Sequence, residues 1–590
     1  MKRLLALVLI ASATLAYASN PKLSPELQGY PANQQVQVIV QYAPGTQVTC
    51  TGLLGLVDCL VNDIVKLGGT ILGQLPLING VVAVLDGNGL QSLSNQANVV
   101  YISSDRPLTS SGFSDQAVAV NAPFAWQSNF TGAGVGVALI DSGVSNHPDL
   151  YLGILPLSRV VYSQSFVPSN SSTTDQFGHG THVAGLIAGD GLSSTGPFFT
   201  QTFTGIAPSA SIVNLRVLDQ NGEGTDSLVI AAINQAIALK SRYNIRVINL
   251  SLGRAIYESY KLDPLCQAAE QAWKNGIVVV VAAGNNGRYQ PTDGYATVTS
   301  PGNDPYVITV GAMKPMGTPT RTDDLIASYS SKGPTAVDAV VKPDIVAPGN
   351  LLISLEAPNS TLFSEFPANQ VPYSAYVLAG SSAISPSYFT LSGTSMATGV
   401  VSGVVADLLQ KSPSLTPDEV KARLMLTAYK TFPQSSSTTD PTTGITYTDQ
   451  YDVFTIGAGY VDVQAALQST AVAKGTAMSP TATFNSTTDQ VYMSDDPSAV
   501  WNTSSTWSNT AVWGASQFVT GTTGAVTNGA NAASSSQLAG NEALWGSEAL
   551  WGSEALWGSE ALWGSEALWG SEALWGSEAL WGSNFSGGEN

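Results

Sequence analysis

The strongest constraint on the fold is a series of five continuous apolar runs with helical stretches between them. Two of the helical stretches are residues 226–242 and 264–275. Strands that are apolar on both faces are typical of a parallel sheet, whose connecting helices cover both faces. The pattern therefore predicts an α/β domain with a mainly parallel sheet across residues 120–466. The apolar runs are Val135–Ile140, Ile212–Leu218, Val247–Leu250, Ile277–Ala283 and Val307–Val310.

Two more helices are predicted at the end of this domain. One begins near Ser395 and continues through Val400, Val404 and Leu408. The other begins at Thr416-Pro417-Asp418-Glu419, where threonine caps the helix, proline takes the first helical position and glutamate completes a capping box.

The first 18 residues have the features of a secretory signal. Lys2 and Arg3 precede an apolar run, and Ala16-Tyr17-Ala18 supplies a small-x-small cleavage site. A membrane anchor is the alternative, but the run is too short to cross about 30 Å of hydrocarbon. No later stretch has about 18 consecutive apolar residues. We therefore predict a secreted protein without a membrane span.

The region from Gln34 to about Pro107 has the pattern of a small α+β domain. Residues 36–40 and 81–85 are predicted strands, and residues 89–93 are a predicted short helix. Cys50 and Cys59 are close enough in sequence to pair in an oxidising compartment. Cys266 would then remain as a single buried thiol with a packing role.

Composition excludes several classes of protein. The net charge of −19 argues against binding nucleic acid, because a phosphate backbone selects an excess of Lys and Arg. Three cysteines exclude a disulfide scaffold and a Cys-rich metal domain. Three histidines, His147, His179 and His182, are the only imidazoles available for chemistry.

The C-terminal region is a repeat tail. It has no Lys or Arg after Lys474, and residues 542–583 are seven tandem copies of Glu-Ala-Leu-Trp-Gly-Ser. Trp501, Trp507 and Trp513 already show the six-residue spacing. Six is even, so a strand would present every tryptophan on one face, whereas a helix would turn them to different faces. The period favours a β-type array over a helix, and a disordered linker is the remaining alternative.

Three short stretches carry catalytic residue types. Asp141 ends an apolar strand in Ile140-Asp141-Ser142-Gly143, at the edge of the sheet where ligands bind in α/β proteins. His179 lies between glycines in Gly178-His179-Gly180-Thr181-His182. Ser395 opens a helix in Ser392-Gly393-Thr394-Ser395-Met396, beside unpaired backbone N–H groups.

Together these residues supply the parts of an acyl-transfer hydrolase: a hydroxyl nucleophile, an imidazole base and a carboxylate that orients the imidazole. Asn285, in Ala283-Gly284-Asn285-Asn286, follows a buried strand and would lie on the same edge. Its amide and the backbone N–H of Ser395 are the expected oxyanion donors. Taken singly, Asp141 fits a turn residue, His179 a packed histidine and Ser395 a helix cap.

The order Asp, His, Ser, each within a glycine-bearing motif, resembles that of the subtilisin family of serine peptidases. The Ser251-Leu252-Gly253 strand end, the loop 329–334 and the segment 342–349 add to the resemblance. It implies a three-layer subtilisin-like domain that hydrolyses peptide bonds through an acyl-enzyme. Substrate is expected to lie extended along Ser251, Leu252 and Gly253, with Ala283 and Gly284 also in the binding site.

The sequence features and the resemblance together predict a domain order. The predicted order is a signal peptide at 1–18, an inhibitor-like propeptide at 19–109, the peptidase domain at 110–472, a linker with degenerate repeats at 473–541 and the hexapeptide repeats at 542–583. Polypeptide substrates and the chain's own propeptide are the expected partners. The tail is expected to bind a surface or to self-associate.

The sequence departs from the family pattern at two places. Gly399 stands where the family usually has proline, which should weaken the helix slightly without loss of chemistry. Asp149 matches a family calcium ligand, but the partner loop at 191–203 has no carboxylate, so calcium stays open and no cofactor is assigned. His147 is expected to shape a surface turn, and His182 to be packed or hydrogen-bonded.

The function predicted from these features is that of a secreted serine endopeptidase. A surface-attached structural or binding protein, whose peptidase domain acts mainly on its own propeptide, is the alternative. A zinc site formed by Asp141, His179 and His182 is a second alternative, which lacks the ligand spacing of known zinc motifs.

Overall fold

The structure is a computed structural model that describes residues 20–514 apart from short gaps. The gaps are 25–26, 44–45, 47–49, 52–57, 60–61, 76–78, 105–111, 114, 154, 169, 319, 379–380, 441–442, 486–489 and 502. The predicted signal (1–18) and the hexapeptide repeats (542–583) lie outside the described residues. Contacts divide the chain into two units, Met1–Ser110 and Ser111–Asn590.

The N-terminal unit contains an antiparallel four-stranded sheet, whose strands in spatial order are β4 (Thr70–Leu75), β5 (Gly80–Asp86), β1 (Gln35–Tyr42) and β6 (Val99–Ser104). Asp86 caps α2 (Gly87–Ser94) by accepting a hydrogen bond from the backbone N–H of Gly89 at 2.7 Å. The predicted strands and helix of this small α+β unit are confirmed. Its elements are β1 Gln35–Tyr42, β2 Cys50–Thr51, β3 Asp58–Cys59, α1 Asn62–Lys66, β4 Thr70–Leu75, β5 Gly80–Asp86, α2 Gly87–Ser94 and β6 Val99–Ser104.

The two N-terminal cysteines lie opposite each other. Strands β2 and β3 pair in antiparallel register with Cys50 facing Cys59. Their side chains are outside the described part of the chain, so the disulfide remains a prediction. Cys266 is fully buried, with its Sγ 3.2 Å from Oδ1 of Asn303, in agreement with the packing role expected of it.

The larger unit begins with short elements and then alternates strands with helices. Its first half consists of β7 Gly112–Phe113, α3 Asp115–Ala119, α4 Ala122–Gln127, β8 Gly136–Asp141, β9 Tyr151–Leu152, β10 Leu155–Ser158, β11 Val160–Ser165, α5 His179–Ala188, β12 Gln201–Thr202, β13 Ser211–Arg216, α6 Asp226–Tyr243, β14 Ile245–Leu250, α7 Pro264–Lys274 and β15 Val278–Ala282.

Its second half consists of β16 Ile308–Lys314, β17 Leu325–Ile326, β18 Ile345–Pro348, β19 Leu352–Leu355, α8 Thr361–Glu365, β20 Gln370–Pro372, β21 Ile384–Leu391, α9 Thr394–Lys411, α10 Pro417–Thr427, β22 Ser435–Thr439, β23 Thr446–Gln450, α11 Val453–Ile456, α12 Val463–Gln468, β24 Thr481–Asn485, β25 Gln490–Ser494 and α13 Asn509–Trp513.

The main sheet has the order β11-β13-β8-β14-β15-β16-β17, and β18 also pairs with β16. Seven of these strands are parallel, and only β17 runs antiparallel to its neighbour. Every residue of β8, β15, β16 and β18 is buried, so both faces of the sheet are covered. The predicted α/β architecture is therefore confirmed.

Four helices pack on the main sheet in two pairs. Helices α5 and α9 pack against each other, as do α6 and α7, and the sheet contacts both pairs. A Cβ at Gly399 on α9 would lie 3.2 Å from a methyl of Val183 on α5, so the small residue allows a close approach of the two helices. The predicted capping box of α10 is present, with Thr416 and Glu419 bonded to each other's backbone N–H.

The described residues between 473 and 514, predicted from the sequence to be linker, are folded as part of the larger unit. Strands β24 and β25 form a hairpin, and the backbone N–H groups of Val341 and Ala482 bond across to Pro480 and Ala339. Trp501, Trp507 and Trp513 are buried in one apolar cluster with residues of α10 and α11. These tryptophans are buried against helices that lie earlier in the chain, and this burial stabilises a segment whose composition resembles a linker. Among the described residues, no helix is both long and apolar enough to cross a membrane.

Candidate active site

Asp141 and His179 meet at the carboxyl end of the central sheet. Asp141 is the last residue of β8, and His179 is the first residue of α5. Their Oδ1 and Nδ1 atoms are 2.8 Å apart, and both side chains are buried. A Cβ at Gly180 would lie 2.3 Å from the carbonyl oxygen of Gly143, so only glycine lets the helix approach the strand end this closely.

The environment of His179 favours its charged form. Burial alone would lower the pKa of the imidazole, but the charge of Asp141 and its hydrogen bond outweigh burial and raise that pKa. A base must be neutral to accept a proton, so His179 should work only at a pH that exceeds its raised pKa, which lies above the ordinary histidine pKa. As the pH is lowered, activity that depends on His179 should therefore be lost at a higher pH than it would be with an unperturbed histidine.

Asp175 is a site residue that the sequence reasoning missed. Its Oδ1 accepts hydrogen bonds from the Ser142 hydroxyl at 2.8 Å and the Gly178 backbone N–H at 2.7 Å. Its Oδ2 accepts the backbone N–H of Thr181 at 2.8 Å. The carboxylate thus ties the residue after Asp141 to both sides of His179. Local sequence carried no signal for it, because Asp175 lies three residues before Gly178, the cap position of α5.

Ser395 lies in the first turn of α9, and it is buried. Its hydroxyl donates to the carbonyl oxygen of Ser251 at 3.1 Å, while the Ser251 hydroxyl donates to the carbonyl oxygen of Ser395 at 2.9 Å. Asn249 donates to the Ser251 hydroxyl and accepts from Ser402. This buried chain of hydrogen bonds fixes the start of α9 to the end of β14.

Asn285 follows β15 and is tied to the residue before Ser395. Its Oδ1 accepts hydrogen bonds from the backbone N–H of Thr394 at 2.9 Å and from the Thr394 hydroxyl at 3.0 Å. The Thr394 hydroxyl in turn accepts the N–H of Gly284 at 3.1 Å. Since Oδ1 is occupied, the Nδ2 donor is the part of this amide left to serve a developing oxyanion.

Replacing Asn285 with alanine should slow turnover by about 10²–10³ through loss of one oxyanion donor. KM should change little, because this hydrogen bond strengthens only in the transition state. Steady-state kinetics on a peptide substrate measures both parameters. Asn286→Ala, one residue along the same loop, is the matched control and should keep near-normal kcat. Equal kinetics for the two variants would contradict the assignment of Asn285.

The predicted substrate-binding residues lie on two adjacent strand ends. Ser251, Leu252 and Gly253 follow β14, whereas Ala283 and Gly284 follow β15, its parallel neighbour. Leu252 and Gly253 line a cleft of about 1020 Å³. Phe177, Leu218, Val229 and Leu265 are among the apolar residues that also line it.

The lining of this cleft is strongly acidic. Glu223, Asp226, Glu258 and Glu365 contribute four carboxylates, and Arg254 contributes the one guanidinium. Arg254 is already ion-paired with Asp226 at 2.8 Å and with Asp263 at 2.9 Å. Because the positive charge of Arg254 is balanced by these two aspartates, the three glutamates make the electrostatic potential of the cleft negative.

The two other histidines have structural roles. His182 donates from Nε2 to the carbonyl oxygens of Leu352 and Phe389 at 3.0 and 3.1 Å, and burial lowers its pKa to about 3. His147 shapes its turn by accepting the N–H of Asp149, but it is buried, whereas a surface position was expected. The described residues include no cluster of three metal-ligating side chains, and Nε2 of His182 is already bonded to two carbonyl oxygens.

Asp149 does not fit the calcium ligand that its sequence position suggests. Its Oδ1 accepts the N–H of Ser193 at 2.8 Å, and its Oδ2 accepts the Tyr388 hydroxyl at 2.7 Å. The guanidinium of Arg159 donates to the carbonyl oxygen of Asp149 at 2.6 Å. A cation that needs six to eight oxygens would find these oxygens already bonded to donors, and a positive charge beside them.

Comparison with known proteins identifies the family of the chain. A sequence model of the Subtilase family matches residues 132–459. The chain is 40% identical over 303 residues to "Serine protease AprX" of Bacillus subtilis (strain 168), covering 50% of this chain and 61% of that protein. It is 32% identical over 409 residues to "Subtilisin E" of the same organism, covering 68% of this chain and 84% of that protein. The chain therefore belongs to the subtilase family of serine peptidases.

Proposed function

We propose that the protein is a secreted serine endopeptidase whose catalytic triad is Asp141, His179 and Ser395. The observation that carries the proposal is the buried 2.8 Å contact between Asp141 and His179, at the sheet edge where the nucleophile helix begins. The test is hydrolysis of a generic protein substrate with and without a serine-directed inhibitor. Inhibitor-sensitive hydrolysis supports the proposal, and hydrolysis that persists in the inhibitor contradicts it.

The proposed reaction runs in two halves. The Ser395 hydroxyl attacks the substrate carbonyl carbon while Nε2 of His179 accepts its proton, and the ion pair with Asp141 stabilises the imidazolium. The new oxyanion accepts hydrogen bonds from the Ser395 backbone N–H and from Nδ2 of Asn285. His179 then gives its proton to the leaving amine. Water repeats the sequence on the acyl-enzyme and regenerates Ser395.

The acidic cleft supports a preference for basic substrates. Its carboxylates lie beside Leu252 and Gly253, which directly follow the residue bonded to Ser395. A Lys or Arg side chain near the scissile bond would be attracted, and a Glu would be repelled. The apolar part of the lining would hold an adjacent apolar side chain.

Peptides with Lys near the scissile bond should be cleaved with a kcat/KM about three- to hundredfold above otherwise identical peptides with Glu, if each glutamate contributes as an exposed ion pair does. The preference should shrink as salt is added. The combined variant Glu223→Gln, Glu258→Gln and Glu365→Gln should lose it, whereas Asp323→Asn, an exposed acid outside the cleft, should keep it. A preference that survives the combined variant would contradict this role of the cleft.

Maturation is expected to remove the N-terminal unit. We expect mass spectrometry of the secreted wild-type protein to find an N-terminus within residues 105–116, because the stretch 108–112 is rich in the small and polar residues at which proteolytic cleavage concentrates. The Ser395→Ala protein should accumulate with only residues 1–18 removed. A fully active enzyme that begins at Ser19 would contradict both the propeptide role and the alternative in which that propeptide is the main substrate.

A further inference from the structure

The last described residues share a sequence with the repeat tail. Ala511-Val512-Trp513-Gly514 is the Ala-Leu-Trp-Gly core of the seven hexapeptides, with Val in place of Leu. This stretch is therefore a degenerate copy of the repeat whose conformation and contacts are known.

The copy at 511–514 forms a single helical turn that ends at glycine. The Ser508 hydroxyl accepts the backbone N–H of Ala511 at 3.2 Å and caps the turn. Gly514 has a φ of +89° and donates its N–H to the carbonyl oxygen of Thr510 at 2.9 Å. A positive φ at this position favours glycine, which each hexapeptide also has directly after its tryptophan.

This turn is docked into a defined site on the larger unit. Val512 and Trp513 are 0% and 1% exposed, and the ring of Trp513 meets that of Trp501 edge-on at 5.0 Å. Lys430 donates from Nζ to the carbonyl oxygen of Val512 at 2.6 Å. The same ammonium donates to the carbonyl oxygens of Met425 and Ala458, which fixes its position.

The residues that enter this site have counterparts in every hexapeptide. A branched aliphatic residue, a tryptophan and a glycine follow one another, and the carbonyl group that Lys430 recognises belongs to the backbone. The Thr510 position, which is glutamate in the hexapeptides, is exposed and so has room for a charge. The residue that aligns with Asn509 is Asn541 before the first hexapeptide and serine before the other six, so those six would lose the 3.3 Å hydrogen bond from Asn509 to Asp495. The residue that aligns with the capping Ser508 is glycine before all seven copies, and glycine at a helix N-cap costs only a few tenths of a kcal/mol relative to serine.

We propose that the hexapeptides of residues 542–583 are alternative occupants of the site that Ala511–Gly514 fills, in the same chain. A seated hexapeptide adopts the helical turn of 511–514, in contrast to the extended array that the six-residue period alone favours. The segment between Gly514 and the first hexapeptide can form the required loop at modest cost, because loop-closure entropy grows only slowly with length. Seven tethered copies also give the site a high effective concentration of ligand.

The test is a comparison of four full-length proteins, all in the Ser395→Ala background to prevent autolysis. They carry either Trp513 or Trp513→Ala, combined with intact repeats or with all seven repeat tryptophans replaced by alanine. We expect Trp513→Ala to lower the thermal midpoint by on the order of 5 °C when the repeats lack tryptophan. With intact repeats most of that loss should disappear. Removing the repeat tryptophans alone should change nothing.

An equal loss of thermal midpoint with intact and with altered repeats would overturn the proposal. Recovery that depends on protein concentration would also overturn it, because the occupant would then come from a second copy. Should Trp513→Ala fail to fold in both forms, Trp513→Phe provides the same comparison with a smaller perturbation.

Discussion

Ser395→Ala is expected to lower kcat by about 10⁶-fold, the size of effect that follows removal of the nucleophile in a subtilisin. The side chain donates one hydrogen bond, to Ser251, and fills little volume. Its removal should therefore leave the thermal midpoint within a few degrees of the wild-type value. Steady-state kinetics on a small peptide and thermal unfolding measure the two quantities separately.

Ser412→Ala is a suitable control because Ser412 caps the other end of α9. It tests whether a serine-to-alanine change on this helix disturbs catalysis through the fold alone. We expect this control to keep kcat within a few-fold of wild type. A folded Ser395→Ala protein with near-normal turnover would refute the triad.

Asp141→Asn is expected to lower kcat by about 10⁴-fold, because an amide cannot stabilise the imidazolium and favours the wrong tautomer of His179. The same change should move the acid limb of the pH–rate profile to lower pH. The sign follows from the structure: the charge and hydrogen bond of Asp141 raise the pKa of His179 against the effect of burial, and the variant removes both.

Asp175→Asn tests orientation with a smaller change of charge, because Asp175 also raises the pKa of His179, but less than Asp141 does. Asp175 contacts the loop around His179 through Ser142, Gly178 and Thr181. We expect its loss to lower the thermal midpoint, since Thr181 would lose its buried acceptor, and to move the pH limb much less. A pH limb that moves with Asp175→Asn and stays in place with Asp141→Asn would contradict the roles assigned here.

The interior of the main sheet was predictable from sequence, whereas its periphery was not. Strands buried on both faces leave continuous apolar runs, so β8, β13, β14, β15 and β16 were predicted close to their observed positions. Strand β11, Val160–Ser165, alternates half-buried and exposed residues at the sheet edge and has no such run. Strand β18 has only four residues, too few to show a period.

The candidate site was predictable to the extent that its residues stand in glycine-bearing motifs. Asp141, His179, Ser395 and Asn285 were predicted in this way. Asp175 was missed because it lies in a polar loop, and its contacts with Ser142 and Thr181 exist only after folding. Polar partners that are far apart in the sequence also cannot be predicted from a local pattern. Tyr388, for example, donates a hydrogen bond to Asp149 from 239 residues away.

Residues 473–514 show the same limitation for packing. Their composition resembles a linker, yet Ser479 enters a buried ionic cluster, where it donates to Asp344 at 2.5 Å and accepts from Lys421 at 2.8 Å. Lys421 and Asp344 are 3.0 Å apart and fully buried. Removing a partner from such a cluster leaves an uncompensated buried charge. A truncation meant to remove only the tail should therefore end after Gly514.

Covalent labelling with a fluorophosphonate tests the central claim most directly, because the reagent reacts with a serine hydroxyl that a neighbouring base has activated. The matured protein is incubated with the reagent, and residual activity is followed together with intact mass and peptide mapping. The account predicts one adduct per chain, located on Ser395, that forms at the rate at which activity is lost and is absent from His179→Ala. An adduct on another residue, or full activity after Ser395 is completely labelled, would contradict it.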